Sequence, residues 1–294
     1  MTNHIACNDA TLISSVDGVT IAVHDFGGNG SPVLLSHATG FHAHCWEPLA
    51  ADLASGRHHV VGFDHRGYGD AETVDPAGIE WRQYGNDALS AARWLSSAHG
   101  GAPVVGVGHS MGGASLLMAS LVEPSLFSAL FVFEPIVFPP PDPSEPDRPP
   151  NPLAGGARKR RSSFGSFDAA LENFAAKPPM SSFHPRAREA YVRHGFKATQ
   201  DGSVELKCLP EHEARTYETG GLHGTWDDLE RVTVPTWVIA GAPAPFQPSG
   251  IAGRIAERIP GATYVQFDEM GHFGPLEKPS TVATLVESTL ATLR

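Results

Sequence analysis

Residues Val104–Leu117 read VVGVGHSMGGASLL, and the stretch changes character at its centre. Val104, Val105 and Val107 form a short apolar run, as expected of a strand covered on both faces. Met111–Val122 continues at once as an apolar helix. Between them Gly108, His109, Ser110, Met111 and Gly112 spell G-x-S-x-G. So tight a turn from strand to helix strains the backbone at the serine. The residues two positions to either side must lack bulk for strand and helix to approach. The hydroxyl then stands above the end of a sheet, and the next N–H points to the same place from the helix N-terminus. Strand before and helix after supply the context the motif requires, which weighs against a serine that merely caps the helix.

Outward from this bend, strand-like and helix-like segments alternate. TLISSVDGVTIAVHDF reads as two β-runs joined at Asp17-Gly18, a hairpin signal. Pro32–His37 and His58–Asp64 read as buried strands, with helical spacing of Trp46, Leu49, Ala50 and Leu53 between them. Glu80–His99 is an amphipathic helix, and Ser128–Pro135 another strand. There the rhythm breaks. EPIVFPPPDPSEPDRPPNP is crowded with proline, which fits neither a helix interior nor a central strand, and reads as a stiff, extended connector. The basic run Arg158–Arg161 follows and is expected to be a solvated helix face. Helices are expected at Ser166–Ala176 and Pro185–Phe196, then a small hairpin in TQDGSVELKC and a helix in PEHEARTYE. Alternation returns with a strand at Val234–Gly241, a helix at Ser249–Ile259, a strand at Ala262–Asp268 and a last helix at Pro279–Leu293. The pattern predicts an α/β fold with a mostly parallel sheet and an inserted, mainly helical cap. Residues 1–137 and 232–294 form the core, and 138–231 the cap.

The composition narrows the partners. Thirty-two acidic residues against 21 basic ones give a net charge of -11, which argues against a nucleic-acid backbone as ligand. Cys7, Cys45 and Cys208 are odd in number and widely spaced, so a disulfide framework is not expected and a reducing, cytoplasmic setting is. No signal-peptide pattern opens the sequence, and no apolar run approaches the ~18 residues of a membrane span.

With these residues in view, the chain resembles the α/β-hydrolase family over nearly all of its length outside the cap. LLSHATGFHAHCW is similar to that family's His-Gly-x oxyanion loop, FDHRGYGDA to its Asp-x-Arg-Gly-x-Gly loop, and MGHFGPLEKP to the segment bearing its catalytic histidine. The resemblance implies that Ser110 is a nucleophile and His272 its general base. It implies an oxyanion hole from the backbone N–H groups of Met111 and Thr39. Ala38 replaces the usual glycine of the first loop. His37 is implied as a structural brace. His42, His44 and Cys45 lack a second ligand pair at metal spacing, so no metal is expected there.

A serine–histidine pair needs a carboxylate to fix the imidazole tautomer and stabilise its positive charge. In most of the family this acid follows the strand after the cap. Here that segment, VIAGAPAPFQPS, contains no Asp or Glu, and Ala244 stands where the acid is usual. A second location known in the family is the end of the strand after the nucleophile helix. LFVFEP places Glu134 there, and a glutamate after buried strand residues needs a partner. Asp64 and Asp268 are its rivals. The expectation is a serine hydrolase acting without cofactor or metal on an ester, lactone or similarly activated carbonyl of a small molecule. Phe138, Phe164, Phe167, Phe174, Phe183, Tyr191 and Phe196 of the cap make an apolar or aromatic substrate the expectation, although many of them must pack the cap helices. A carbon–carbon bond hydrolase, a cofactor-free perhydrolase and a non-hydrolytic receptor remain as competing readings.

Overall fold

The computed structural model describes residues 10–140, 151–244 and 247–293. Cys7 and most of the proline-rich connector lie outside the described residues. Eight strands form one twisted sheet: β1 (Thr11–Ser14), β2 (Thr20–Gly28), β3 (Ser31–Ser36), β4 (His58–Asp64), β5 (Val104–His109), β6 (Phe127–Phe133), β10 (Thr236–Gly241) and β11 (Thr263–Phe267). Their order is β1-β2-β4-β3-β5-β6-β10-β11. The pairings of β1 with β2 and of β2 with β4 are antiparallel, and all the others are parallel.

Strand side chains alternate between the two faces. On β3, Val33 and Leu35 pack toward α1 (Glu47–Ala54) and α11 (Pro279–Thr292). Leu34 packs toward α2 (Trp81–Ala98), α3 (Met111–Val122) and α9 (Ser249–Arg258). Each face is therefore a buried apolar layer, which explains the continuous apolar runs of the central strands. Strand β5, which leads to Ser110, lies between β3 and β6, so its end is flanked by the strand leading to Thr39 and the strand leading to Glu134. No described helix is long and apolar enough to cross a membrane.

Between β6 and β10 lie α4 (Pro152–Lys159), α5 (Phe167–Ala175), α6 (Pro185–Gly195), α7 (Pro210–Thr219) and α8 (Thr225–Asp228). A small antiparallel sheet accompanies them, made of β7 (Ser163–Phe164), β8 (Phe196–Ala198) and β9 (Val204–Leu206) in the order β7-β9-β8. Phe196 thus opens a strand instead of closing the preceding helix. Phe164, Phe183, Tyr191 and Phe196 are buried, and they share one apolar cluster with Ala38, Phe41 and Leu276 of the sheet domain. The basic run is not simply a solvated face. Arg158 pairs with Glu211 and Glu218 of α7, while Arg160 is largely buried and pairs with Glu213 and the Tyr191 hydroxyl.

The β4–α2 turn is fixed by charge. Arg66 is fully buried, gives its Nε and Nη2 to Asp87 of α2, and reaches Asp17 of the β1–β2 turn. Burial pushes the Asp87 carboxyl up, but the nearby His65 imidazole and the hydrogen-bonded Arg66 guanidinium outweigh it and hold the group at about 2. A depressed acid stabilises the fold at pH above its unfolded value, near 3.8, and that contribution is lost as pH falls toward about 2. Asp87→Asn leaves Arg66 buried and underpaired. It is expected to cost about 3 kcal/mol at neutral pH and to flatten the loss of stability between pH 4 and 2, as read from urea unfolding across that range.

Candidate active site

The site is assembled from backbone first. Ser110 sits at φ 55°, ψ -114° between β5 and α3, and its side chain makes no capping bond to the helix. A simple N-cap is therefore not what the bend provides. The bend survives only because two neighbours are glycine. A Cβ on Gly112 would stand 2.1 Å from the Ser36 carbonyl oxygen, and one on Gly108 would stand 2.6 Å from the Gly112 carbonyl oxygen. The first turn of α3 thus packs directly on the carboxyl end of β3, where the loop carrying Thr39 begins. The Met111 and Thr39 N–H groups are both buried in this corner and make no hydrogen bond among the described residues. Ala38 keeps a negative φ, since Ser110 and Glu134 are the only described non-glycine residues at positive φ. Its methyl is accommodated without strain.

Glu134 follows β6, which ends two residues earlier than its sequence pattern indicates. It takes φ 44°, a left-handed turn that carries the side chain off the strand direction. Three backbone bonds hold the turn: Ser110 N–H to Phe133 O at 2.9 Å, Glu134 N–H to Ile239 O at 2.8 Å, and Ile136 N–H to Ser110 O at 3.2 Å. The carboxyl is fully buried, and each oxygen has a donor. Oε1 accepts from Gly241 N–H at 2.9 Å, and Oε2 meets His272 Nδ1 at 2.6 Å.

His272 lies in the loop after β11, and that loop is tied to neighbouring strand ends. Ala242 N–H donates to Met270 O at 2.8 Å, and the His109 Nε2–H donates to His272 O at 2.7 Å. Burial drives the His109 imidazole well below its ordinary value, so the ring is neutral. Its neighbour in sequence is Ser110, and the His109 and His272 rings stand 4.9 Å apart. The Ser110 hydroxyl makes no direct hydrogen bond to His272 among the described residues. Rotation about one side-chain bond moves that hydroxyl, and catalytic hydrogen bonds commonly tighten only around substrate.

The rivals for the acid are placed elsewhere. Asp64 is buried and accepts from Ala43 N–H, Asp70 N–H and His24 Nε2, so its carboxylate braces loops. Asp268 is exposed and bonded to Gln266. Ala244 N–H meets Ser249 Oγ, and no acid stands at that position. His37 is a brace, as its place in the loop predicts. Its Nδ1–H bonds Ala38 O, its Nε2 accepts from His65 N–H, and burial holds it down at about 3.

Two features were not read from the sequence. Phe41, Phe183 and Phe273 form a ring cluster with centroids 5.3–5.8 Å apart, and Phe273 contacts the His272 ring. The Arg160–Glu213 pair also sits against the loop after β3, where a Cβ on Gly40 would lie 2.8 Å from Glu213 Oε1. A groove of about 430 Å³ between β11 and α11 is lined by Phe267, Ser280, Thr284 and Leu285, and it brings together none of these groups.

A model of the alpha/beta hydrolase family matches residues 33–285. The chain belongs to that family. The monoglyceride lipase homolog of Monkeypox virus is 30% identical over 105 residues, 36% of this chain and 38% of that protein. The chain therefore aligns with well under half of that relative's length. A putative non-heme bromoperoxidase, BpoC, of Mycobacterium tuberculosis is 23% identical, with 92% of this chain and 98% of that one covered. Among solved structures, the peroxisomal alpha-beta-hydrolase Lpx1 of Saccharomyces cerevisiae superimposes with a TM-score of 0.78 at 17% identity, covering 96% of this chain and 84% of that one. The fold is thus the α/β-hydrolase fold, with a mostly parallel sheet flanked by helices, and the similarities support a hydrolase.

The close approach at the bend has a direct test. Gly112→Ala is expected to destabilise the protein by about 1–3 kcal/mol and to slow hydrolysis roughly 100-fold, because the bend that presents Ser110 is displaced. Gly155→Ala, whose methyl meets nothing within 4 Å, is the control: it should not destabilise the protein and should leave turnover unchanged. Melting curves and ester turnover measured on both variants make the comparison.

Proposed function

We propose that the protein is a serine hydrolase that cleaves an ester, lactone or similarly activated carbonyl of a small molecule through an acyl-enzyme. The observation that carries this reading is the 2.6 Å contact of His272 Nδ1 with a fully buried Glu134 carboxylate, beside a strained Ser110. In this reading His272 Nε2 takes the Ser110 proton as Oγ attacks the carbonyl carbon. Glu134 keeps the proton of His272 on Nδ1 and stabilises the imidazolium, and the N–H groups of Met111 and Thr39 receive the developing oxyanion. The imidazolium then protonates the leaving alcohol, and water repeats the sequence in reverse roles to release the acid. Segment 138–231 acts as the cap. Its Phe183, with Phe41 and Phe273, supports an apolar substrate portion next to His272.

A second reading draws on the near full-length similarity to the putative bromoperoxidase. The same acyl-enzyme can be released by hydrogen peroxide in place of water, giving a peracid. Bromination of a phenol dye in acetate buffer with peroxide and bromide, lost in Ser110→Ala, would establish that activity.

Ser110→Ala is expected to fold normally, to lose labelling by a fluorophosphonate probe, and to lose turnover of nitrophenyl esters by about 10⁵–10⁶. Retained labelling would remove Ser110 from the mechanism. Glu134→Gln keeps the shape, removes the charge and favours the wrong tautomer, so turnover should fall about 10³–10⁴ with KM little changed. Asp64→Asn and Asp268→Asn, assayed on the folded fraction, should each stay within about tenfold of wild type, since neither touches His272. Near-normal turnover in Glu134→Gln, with collapse in either aspartate variant, would assign the acid elsewhere.

A further inference from the structure

We propose that His44, Glu47 and His194 form a site for one divalent first-row transition ion, best suited to Zn²⁺, that ties the segment between β6 and β10 to the sheet domain. His44 and Glu47 lie one turn apart, where a short 3₁₀ turn (Ala43–Trp46) runs into α1, only a few residues beyond Thr39. His194 comes from the last turn of α6. His44 Nδ1 lies 2.9 Å and His194 Nε2 3.5 Å from the same oxygen, Glu47 Oε1. One donor atom from each of the three residues lies within 4.8 Å of the other two. Ligand atoms on a tetrahedral zinc ion, each at 2.0–2.1 Å, stand about 3.3 Å apart. The backbone is therefore already in place. Two imidazoles and a carboxylate are a zinc donor set, and they leave a fourth position for water.

The surroundings of His44 add an independent observation. His24 is 3% exposed, gives Nε2 to Asp64 at 2.8 Å, and has no partner for Nδ1 among the described residues. Its ring stands 4.4 Å from that of His44. A buried imidazole with one nitrogen on a carboxylate and the other unpaired is how proteins offer a lone pair to a cation. His24, His44 and Asp70 accordingly make a second, overlapping donor group. Asp70 is already neutralised by its pairing with the Lys207 ammonium. The polar side chains meeting Glu47 among the described residues are the two histidines, and this selects the Glu47 side of His44.

Binding has a geometric cost. The His44 and His194 rings stack at 3.6 Å with planes 10° apart, and a nitrogen lone pair lies in its ring plane. One ring must turn for both lone pairs to converge. His194 and Glu47 side chains are 26% and 27% exposed, so the ring has room to turn and the ion a path from solvent. Affinity on the order of micromolar follows, weaker than that of structural sites built from four rigid ligands.

The full chain, treated with EDTA and dialysed, is titrated with Zn²⁺ by calorimetry and with Co²⁺ by visible absorption. The expected result is one saturable ion, with a Co²⁺ spectrum of low coordination number. His194→Ala and Glu47→Gln should each weaken binding at least tenfold, and Asp70→Asn should leave it within about twofold. Melting curves in EDTA establish that each variant is folded, and both tested ligands lie at the surface where replacement is tolerated. Ester turnover plays no part in the readout, so the outcome is independent of the reaction proposed above. Absence of saturable binding, or millimolar binding of several ions, overturns the proposal. Binding unaffected by His194→Ala, or lost in Asp70→Asn alone, overturns it as well.

Discussion

The contact on which the site depends is between two backbones. The first turn of α3 lies against the Ser36 carbonyl at the end of β3, with no space for even one carbon at Gly112. This brings a helix N-terminus and a strand-end loop within reach of each other. Free N–H groups from both then face one small volume. The φ of 55° at Ser110 is the conformational expense of that approach, on the order of 1 kcal/mol. Sheet burial on both faces holds it, since neither β5 nor α3 can relax without opening an apolar layer. The backbone alone thus prepares a pair of unpaired N–H groups beside Ser110 before any side chain is considered.

Charge inside this domain is confined to a few fully bonded positions. Glu134 has a donor on each oxygen, Asp64 has three donors, and Arg66 has carboxylates on two sides. Burial of any of these groups alone would be strongly unfavourable. Each joins segments that the sheet does not itself connect: β6 to the loop after β11, β2 to the loop after β3, the β1–β2 turn to α2. The polar bonds thus set loop positions, and apolar packing supplies most of the stability. In the segment between β6 and β10, Arg160 with Glu213 plays the same part against Gly40.

Legibility in the sequence followed the range of the interaction. Strands β3, β4, β5 and β10 were readable because each is a continuous apolar run, and α2 because its apolar stripe keeps a helical period. Ser110 was readable because the two glycines have no other use, and Glu134 because a carboxylate after a buried strand demands a partner. What escaped was either very short or nonlocal. Strand β7 is two residues long and carries no periodicity. The left-handed turn at Glu134 has no glycine to announce it. Arg160 reads as one more charge in a basic run until the fold brings Glu213 and Tyr191 around it. His44 and His194 carry no shared spacing, so their stacking belongs to the tertiary structure alone.

The position of Glu134 after β6 has a consequence for how this fold can vary. Ser110 and Glu134 are joined by backbone bonds across the ends of two adjacent strands, with Phe133 O and Ser110 O as acceptors. Ser110 and Glu134 are therefore both secured within a single β–α–β unit. The turn after β10 meets this assembly through the Gly241 N–H and through the contact of its backbone with Met270. Beyond Ala242 it is released from any need to aim a side chain. A change of length beyond that point would leave Ser110, Glu134 and His272 held by the other elements that fix them.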